Sequence, residues 1–337
     1  MRAFNVLLTA GSRRVPLVQA FRTALRSLGL PGSVIVTDVN PLSPAVHVAD
    51  RSYRVPMATD ADYLPEVLAL CQAENIRLVV PTIDDELPLF GAAVAEFRTI
   101  GAFMACSSEE TAIVCNDKVE TCRRLRAAGV PAAASYLPAE LPADLHSRLF
   151  IKPRVGRGAV GAFAIHSRRE LDFFLSYVPD PVVQEYLDGP EFTIDVMCNL
   201  NGTPVSIVPR ERVVIRAGVI DRGRTVNDPQ LIALATQACA AMPFVGALNI
   251  QCRMRDGQPV IFEINPRFSG GIPLTIQAGA DFPQMLIKLA LGRQVAPAIG
   301  EFKDDLWMTS FESSFFLDGS DLQSQAFEMR PRMRRVA

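Results

Sequence analysis

Glu263, Asn265 and Arg267 stand at i, i+2 and i+4 in Val-Ile-Phe-Glu-Ile-Asn-Pro-Arg. A strand turns alternate side chains to one face, so the three would project into one space. Asp256-Gly257, between two apolar-alternating runs, is a hairpin signal. With the register in phase, the partner strand brings Gln251 to the same face. Carboxylate and amide oxygens beside a guanidinium suit Mg²⁺ holding a polyphosphate, because hard cations take oxygen ligands. The same alternation also describes a plain hairpin with a solvated polar face. Pro266, the break at Phe268-Ser-Gly270-Gly271 and the helical spacing around 278–291 favour the site, since functional groups concentrate where a rigid strand gives way to a loop.

Three further stretches carry residue types that chemistry could use. Arg148-Leu-Phe-Ile-Lys152-Pro-Arg-Val-Gly156-Arg-Gly158-Ala-Val-Gly161 reads as a strand, a glycine-rich loop and a second strand. Glycines let backbone N–H groups approach a phosphate closely, although a purely structural hairpin has the same composition. The lysine precedes the glycines, which excludes a Walker A loop. Gln184-Glu185-Tyr186-Leu187-Asp-Gly-Pro-Glu191 predicts two strands joined by a Gly-Pro turn, either an ordinary hinge or a kink presenting backbone groups to an adenine edge. The run 209–225 holds Arg210, Arg212, Arg216, Arg222 and Arg224 among acids, and reads as a solvated loop or as a source of cations for an anionic substrate.

The elements that must position these residues alternate. Segments 4–8, 33–37, 76–80 and 102–105 read as buried parallel strands, with helical spacing over 15–28, 63–72 and 87–97. Such alternation predicts an α/β, doubly wound sheet whose crevice lies at the carboxyl ends of its strands. Thr9-Ala-Gly-Ser-Arg-Arg is no dinucleotide fingerprint and reads as a plain turn. Asp38 ends the second strand, where a ribose-binding acid would sit. Thr82-Ile-Asp-Asp-Glu86 either caps the next helix or meets substrate. From Ser107 the character changes, with short capped helices beginning at Ser107-Ser-Glu-Glu-Thr and at Asn116-Asp-Lys118. Residues 308–317 look like a closing strand, and 329–337 form a basic tail.

Composition narrows the classes. Hydrophobic residues are 49% and charged residues 21% of 337, which excludes a disordered chain and allows two domains. A net charge of −2, with no basic block before the tail, argues against nucleic acid as a partner. No apolar run is long enough for a membrane span, and the first residues lack a signal-peptide core. Cysteines 71, 106, 115, 122, 198, 239 and 252 form no C-x-x-C pair and read as reduced core thiols. The three histidines are isolated, so a zinc site is not expected. The expectation is a cytoplasmic protein without membrane or nucleic-acid partners.

In this order, Asn116-Asp-Lys118, Phe-Ile-Lys152-Pro with its glycine loop, Gln184-Glu-Tyr-Leu-x-Gly-x-Glu191, Asn249-Ile-Gln251 and Phe262-Glu-Ile-Asn-Pro-Arg267 resemble the ATP-grasp superfamily. The likeness is to the carbamoyl-phosphate-synthase large-subunit type and its short single-chain relatives, and it spans 4–291. It implies a Rossmann-like pre-ATP-grasp domain over 1–108, and an ATP-grasp domain over 109–310 with a lid over 118–184. A closing strand and tail would follow over 311–337. By carry-over, Lys118 and Lys152 contact ATP phosphates, and the loop of Gly156, Gly158 and Gly161 closes over them. Gln184, Glu185, Tyr186 and Leu187 meet adenine, and Glu191 meets the ribose. Gln251, Glu263 and Asn265 hold Mg²⁺, with Mn²⁺ as a substitute. Arg267 and Lys152 stabilise charge on the transferred phosphoryl group. Arg210, Arg216, Arg224, Gly270 and Gly271 are candidates for the substrate side.

The resemblance implies a ligase that activates a small carboxylate, such as an amino acid, as an acylphosphate and couples it to an amine, with ADP and phosphate released. Positioning and charge neutralisation carry phosphoryl transfer, so no Ser–His or Cys–His pair is required. Gln at 251 matches the carbamoyl-phosphate-synthase type, where many amino-acid ligases carry an acid. The full synthase has two such halves and an ammonia-supplying partner; this chain has one half. A phosphate-contacting histidine of that type would fall near Ile220, so its role is missing or passes to Arg222 or Arg224. A phosphotransferase, carboxyphosphate chemistry and a non-catalytic ATP-binding module stay open, and a nicotinamide oxidoreductase rests on the doubly wound start alone. The family often dimerises through its first domain, which makes a homodimer the expected assembly.

Overall fold

The computed structural model describes residues 3–142, 148–156 and 160–319. Gly158 and the basic tail lie outside them. The chain forms two compact units, one from the described residues of Met1–Cys106, Asp281–Gln294 and Phe311–Ala337, the other from Ser107–Ala280 and Val295–Ser310.

The first unit is built on a parallel sheet of β1 (Asn5–Leu8), β2 (Val34–Asp38), β3 (Arg51–Arg54), β4 (Ile76–Val80) and β5 (Phe103–Met104), in the order β3-β2-β1-β4-β5. Strands β1 and β2 are buried at every position, as a parallel sheet covered on both faces requires. Helices α1 (Val15–Ser27), α2 (Pro44–Val48), α3 (Tyr63–Ala73), α4 (Leu87–Ala92) and α5 (Val94–Thr99) connect the strands. The stretch expected as one helix over 87–97 is two, parted at Ala93. Neither α2 nor β3 was anticipated: one is a single short turn of helix, the other a polar edge strand without apolar alternation.

The second unit holds two sheets. A four-stranded antiparallel sheet takes β6 (Ser135–Tyr136), β7 (Leu149–Pro153), β8 (Phe163–Ile165) and β9 (Pro181–Glu185) in the order β6-β9-β7-β8. Leu171 of α8 (Arg168–Tyr177) packs with Leu149, Ile151, Ile165 and Val183. Capped helices α6 (Glu109–Asn116) and α7 (Lys118–Ala127) precede it; Asp117 caps α7 by accepting from Val119 N at 2.9 Å and Glu120 N at 3.1 Å.

The larger sheet is also antiparallel, built from β10 (Glu191–Cys198), β11 (Pro204–Arg216), β12 (Val219–Thr225), β13 (Gly246–Arg255), β14 (Gln258–Asn265) and β15 (Trp307–Thr309), in the order β14-β13-β10-β11-β12-β15. Phe192, Ile194, Val196 and Cys198 of β10 bury against Leu231, Leu234, Ala235 and Ala238 of α9 (Pro229–Ala241). Alternation therefore puts Glu191, Thr193 and Asp195 on the opposite face. The Gly-Pro turn links β9 of one sheet to β10 of the other, the hinge reading of that segment.

Three expectations need correction. The arginine-rich run 209–225 is no loop but the hairpin of β11 and β12; Arg210, Ile220 and Gly223 are buried in it, while residues 213–216 at the end of β11 are exposed. The closing strand is only Trp307–Thr309, paired with β12; 310–318 form no strand. After α10 (Ile272–Gln277), helix α11 (Phe282–Ala290) belongs to the first unit, not to a domain running through 310. Its buried Phe282, Leu286, Ile287 and Leu289 form an apolar face, and it packs on α1 and β4.

Candidate active site

Asp256 and Gly257 both take positive φ, 51° and 76°, the turn that returns β14 along β13. The register pairs Gln251 with Glu263 and Asn249 with Asn265, so the two predicted rows meet in phase. Across β10 the rows continue as Thr193 opposite Gln251 and Asp195 opposite Asn249. A bulge places Phe262 between the Gln251–Glu263 and Cys252–Ile261 pairs. It lets Phe262 and Glu263 both line one cavity, which strict alternation would forbid.

That cavity, about 370 Å³, lies within the second unit between its two sheets. Phe150, Ala164, Tyr186, Leu187 and Phe262 provide apolar walls; Lys118, Lys152, Glu191, Arg212, Gln251 and Glu263 provide charge and oxygen. Lys152 is buried, its Nζ 4.0 Å from the Glu263 carboxylate and 5.1 Å above the Phe262 ring. Burial pushes the Lys152 ammonium below the usual lysine range, and Glu263 opposes that shift. Lys118, the first residue of α7, donates to Gly156 O at 2.8 Å and so ties the helix start to the glycine loop. Among the described residues Gly156 lines the cavity, Gly161 borders it between Val160 and Ala162, and Gly158 lies outside the description.

Gln184 lines the cavity, but its amide donates to Ser135 Oγ at 2.8 Å. The Glu185 carboxylate accepts from Ala134 N at 2.9 Å and pairs with Arg255 at 2.7 Å. The backbone here is also engaged: Glu185 N and Tyr186 N donate to Ala134 O and Arg148 O at 3.0 Å, and Leu187 O accepts from Arg253 Nη1 at 3.4 Å. Glu191 is held by two guanidiniums, Arg212 and Arg253. Arg212 also reaches Gln251 Oε1 at 3.3 Å and Gly218 O at 2.7 Å. Sequence reading named Arg212 only as one of the arginines of the 209–225 run and left Arg253 out.

Asn265 turns its Nδ2 to Glu263 Oε1 at 3.1 Å and its Oδ1 to Arg267 Nη2 at 3.2 Å, linking acid to arginine. Asn249 Nδ2 donates to the carbonyls of Asn265 and Arg267 at 3.2 and 3.0 Å and so fixes the strand end that carries them. Among the described residues no three His, Cys, Asp or Glu side chains gather to hold a metal. One carboxylate and two amide side chains nevertheless suit a hard cation that takes its remaining oxygens from a polyphosphate.

The five substrate-side candidates are dispersed. Arg210 is fully buried, paired with Asp195 at 2.8 Å and donating to Ser269 Oγ at 2.9 Å. Thr275 Oγ1 also donates to Asp195. A Cβ on Gly271 would meet the Arg210 guanidinium at 2.4 Å, so this glycine is required by close approach. Arg210 and Gly271 therefore form a buried clamp, and Gly270 packs against Val219. Arg216 is exposed, 3.7 Å from Asp221. Arg224 pairs with Glu211 and Asp305 and stacks its guanidinium 5.5 Å from the Trp307 ring. None of these five lines the cavity.

Residues 177–313 match a family model described as ATP-grasp in the biosynthetic pathway with Ter operon, and 6–105 match one described as PylC-like, N-terminal domain. The arginine-specific carbamoyl phosphate synthase large chain of Bacillus subtilis is 23% identical over 270 residues, 74% of this chain but 25% of its own. The chain thus spans about a quarter of the length of that curated relative. Biotin carboxylase from Campylobacter jejuni shares the fold at a TM-score of 0.71 and 16% identity, over 90% of this chain and 74% of that one. The L-amino acid ligase from Bacillus licheniformis does so at 0.69 and 19%, over 90% and 78%. The chain carries an ATP-grasp domain behind a PylC-like N-terminal domain and is homologous to the large chain of carbamoyl phosphate synthase.

Proposed function

We propose that this ATP-grasp chain is a ligase that uses ATP and Mg²⁺ to activate a small carboxylic acid, such as an amino acid, and join it to an amine. One observation carries the reading: Gln251 and Glu263 face each other across β13 and β14, with Lys152 beside Glu263, in a cavity walled by aromatic and aliphatic side chains. The apolar wall of Phe150, Tyr186, Leu187 and Phe262 takes a purine, and Glu191 takes the ribose hydroxyls. Gln251, Glu263 and Asn265 would hold the cation, the last after its amide turns Oδ1 inward. When bound, the cation neutralises phosphate charge as the γ-phosphoryl group moves. Mn²⁺ would take the same ligands.

In the first step a substrate carboxylate oxygen bonds to the γ-phosphorus, the bond to the β-phosphate bridging oxygen breaks, and ADP leaves. Lys152 and Arg267 lie at the two ends of the Glu263–Asn265 row, where that charge develops. In the second step the amine nitrogen bonds to the acyl carbon and phosphate leaves with the carbonyl–oxygen bond; the amine proton goes to solvent. No covalent protein intermediate is needed.

The test is ADP release by purified protein with ATP and Mg²⁺ against pooled amino acids and small carboxylates, with and without amines. Release that requires both a carboxylate and an amine supports the ligase. Release with one substrate alone, leaving a stable phosphorylated product, would replace it with a phosphotransferase. ATP bound without turnover across the pool would replace it with a binding module.

A further inference from the structure

We propose that Arg212 is a polyphosphate-binding residue, the cation that β11 supplies to the stretch of nucleotide between ribose and metal. The inference rests on the cavity being the nucleotide site. If Glu191 takes the ribose and Gln251 with Glu263 takes the metal, the phosphates must pass between those groups. Arg212 is the side chain that touches both ends of that path, through Glu191 and through Gln251 Oε1. It is 6% exposed and lines the cavity with Lys118 and Lys152.

The rest of the hairpin leaves the role to it. Ile220, where the resemblance expects a phosphate-contacting side chain, is buried against Gly271 and Gly223. Arg222 is 61% exposed beside Asp221, and Arg224 is held by Glu211 and Asp305. Arg210 is clamped by Asp195 beneath the sheet surface.

Charge points the same way. Glu191 carries two guanidiniums, Arg212 and Arg253, where one would neutralise it. Lys118 rests on a carbonyl oxygen and adds a further positive charge, while Lys152 and Glu263 balance each other. The cavity therefore holds excess positive charge in a desolvated setting, which favours an anion far more than it would at the surface. Arg212 has donors to give: Nη1 serves Glu191 and Gln251 and Nη2 serves Gly218 O, leaving N–H bonds on Nε and Nη2 without partners among the described residues. Its bond to Gly218 also fixes the hairpin tip, so the guanidinium is held in place before the ligand arrives. A planar fork so placed suits phosphate oxygens better than a flexible ammonium.

The bland role for Arg212, holding Glu191 for the ribose, makes a different prediction, and one series of ligands separates the two. Binding of adenosine, ADP and ATP to the full chain would be measured by calorimetry for wild type, Arg212→Gln and Arg212→Lys. A charge-assisted contact to phosphate predicts that Arg212→Gln weakens ADP and ATP by about 10- to 100-fold while adenosine changes by less than about 3-fold. Arg212→Lys recovers part of the phosphate-dependent loss, and it serves alone if the glutamine variant does not fold. Equal weakening of adenosine and ATP, or no change in any ligand, overturns the proposal. Wild type that binds none of the three overturns the nucleotide-site reading itself, an outcome distinct from either.

Discussion

Glu86 of the first unit and Glu263 of the second are both carboxylates at the polar margin of a sheet, and the protein treats them in opposite ways. Glu86 is 1% exposed and bonded by the hydroxyls of Thr9 and Tyr63. Burial, reinforced by Asp85 and Asp38, pushes its carboxyl up to about 7 even though both hydroxyls pull it down. Glu263 keeps part of its side chain open to a cavity and faces Lys152, with Asn265 relaying to Arg267. Hydroxyl donors close a site and store a proton; cations beside a cavity leave a carboxylate ready for a ligand. In the stretch 82–86, read as cap or substrate contact, Glu86 makes no side-chain cap bond to the helix that follows, and its carboxylate is held by Thr9 and Tyr63.

The contrast can be broken by experiment, beginning with the buried pair beneath the site. Asp195→Ala strands the Arg210 guanidinium and should lower stability by about 3–5 kcal/mol in urea unfolding. A loss below about 1 kcal/mol would show that the clamp is not structural. Glu263→Ala should instead be read in turnover, cutting it by about 10² to 10³, or about 3–4 kcal/mol; Arg267→Ala should act alike. Unchanged turnover in either would remove the residue from the site. For Glu86 the sign follows from the raised value. Its protonated form supports the fold fully below about 4.5, and that support is lost as pH rises through about 7. Stability of the first unit should therefore fall by on the order of 3 kcal/mol across that window, and Glu86→Gln should flatten the slope. A flat wild-type profile would contradict it. Arg224→Ala, at ion pairs outside the cavity lining, should cost under about 1 kcal/mol and leave turnover alone; a large loss of turnover would return Arg224 to the site.

Much of the second unit was legible because its signals are short-range. Asp256-Gly257 specifies its own turn, and period-two spacing then fixes which faces Gln251, Glu263 and Asn265 share. The hinge 185–191 announces itself through Gly189-Pro190. What escaped reading depends on residues distant in sequence. Arg212 and Arg253 converge on Glu191 from two strands that flank β10, and nothing local distinguishes Arg212 from Arg216 or Arg222. The Phe262 bulge breaks the period that reads the rest of the strand. In the first unit, β3 carries Arg-Ser-Tyr-Arg and owes its strand conformation to pairing with β2, not to its own pattern. The run 209–225 looked like a loop because charge dominates its composition, although in the fold its two halves pair as an antiparallel hairpin.

Helix α11 has a consequence for anyone who would dissect this protein. The chain leaves the first unit after Cys106, returns to it over Asp281–Gln294 and leaves again over Val295–Ser310, so the two units interleave along the sequence rather than follow one another. A recombinant fragment ending near residue 106 would lack α11 and lay bare the apolar surface of α1 that it covers. Such a fragment should aggregate, and swapping the leading segment between homologues would succeed only if residues 281–294 travelled with it.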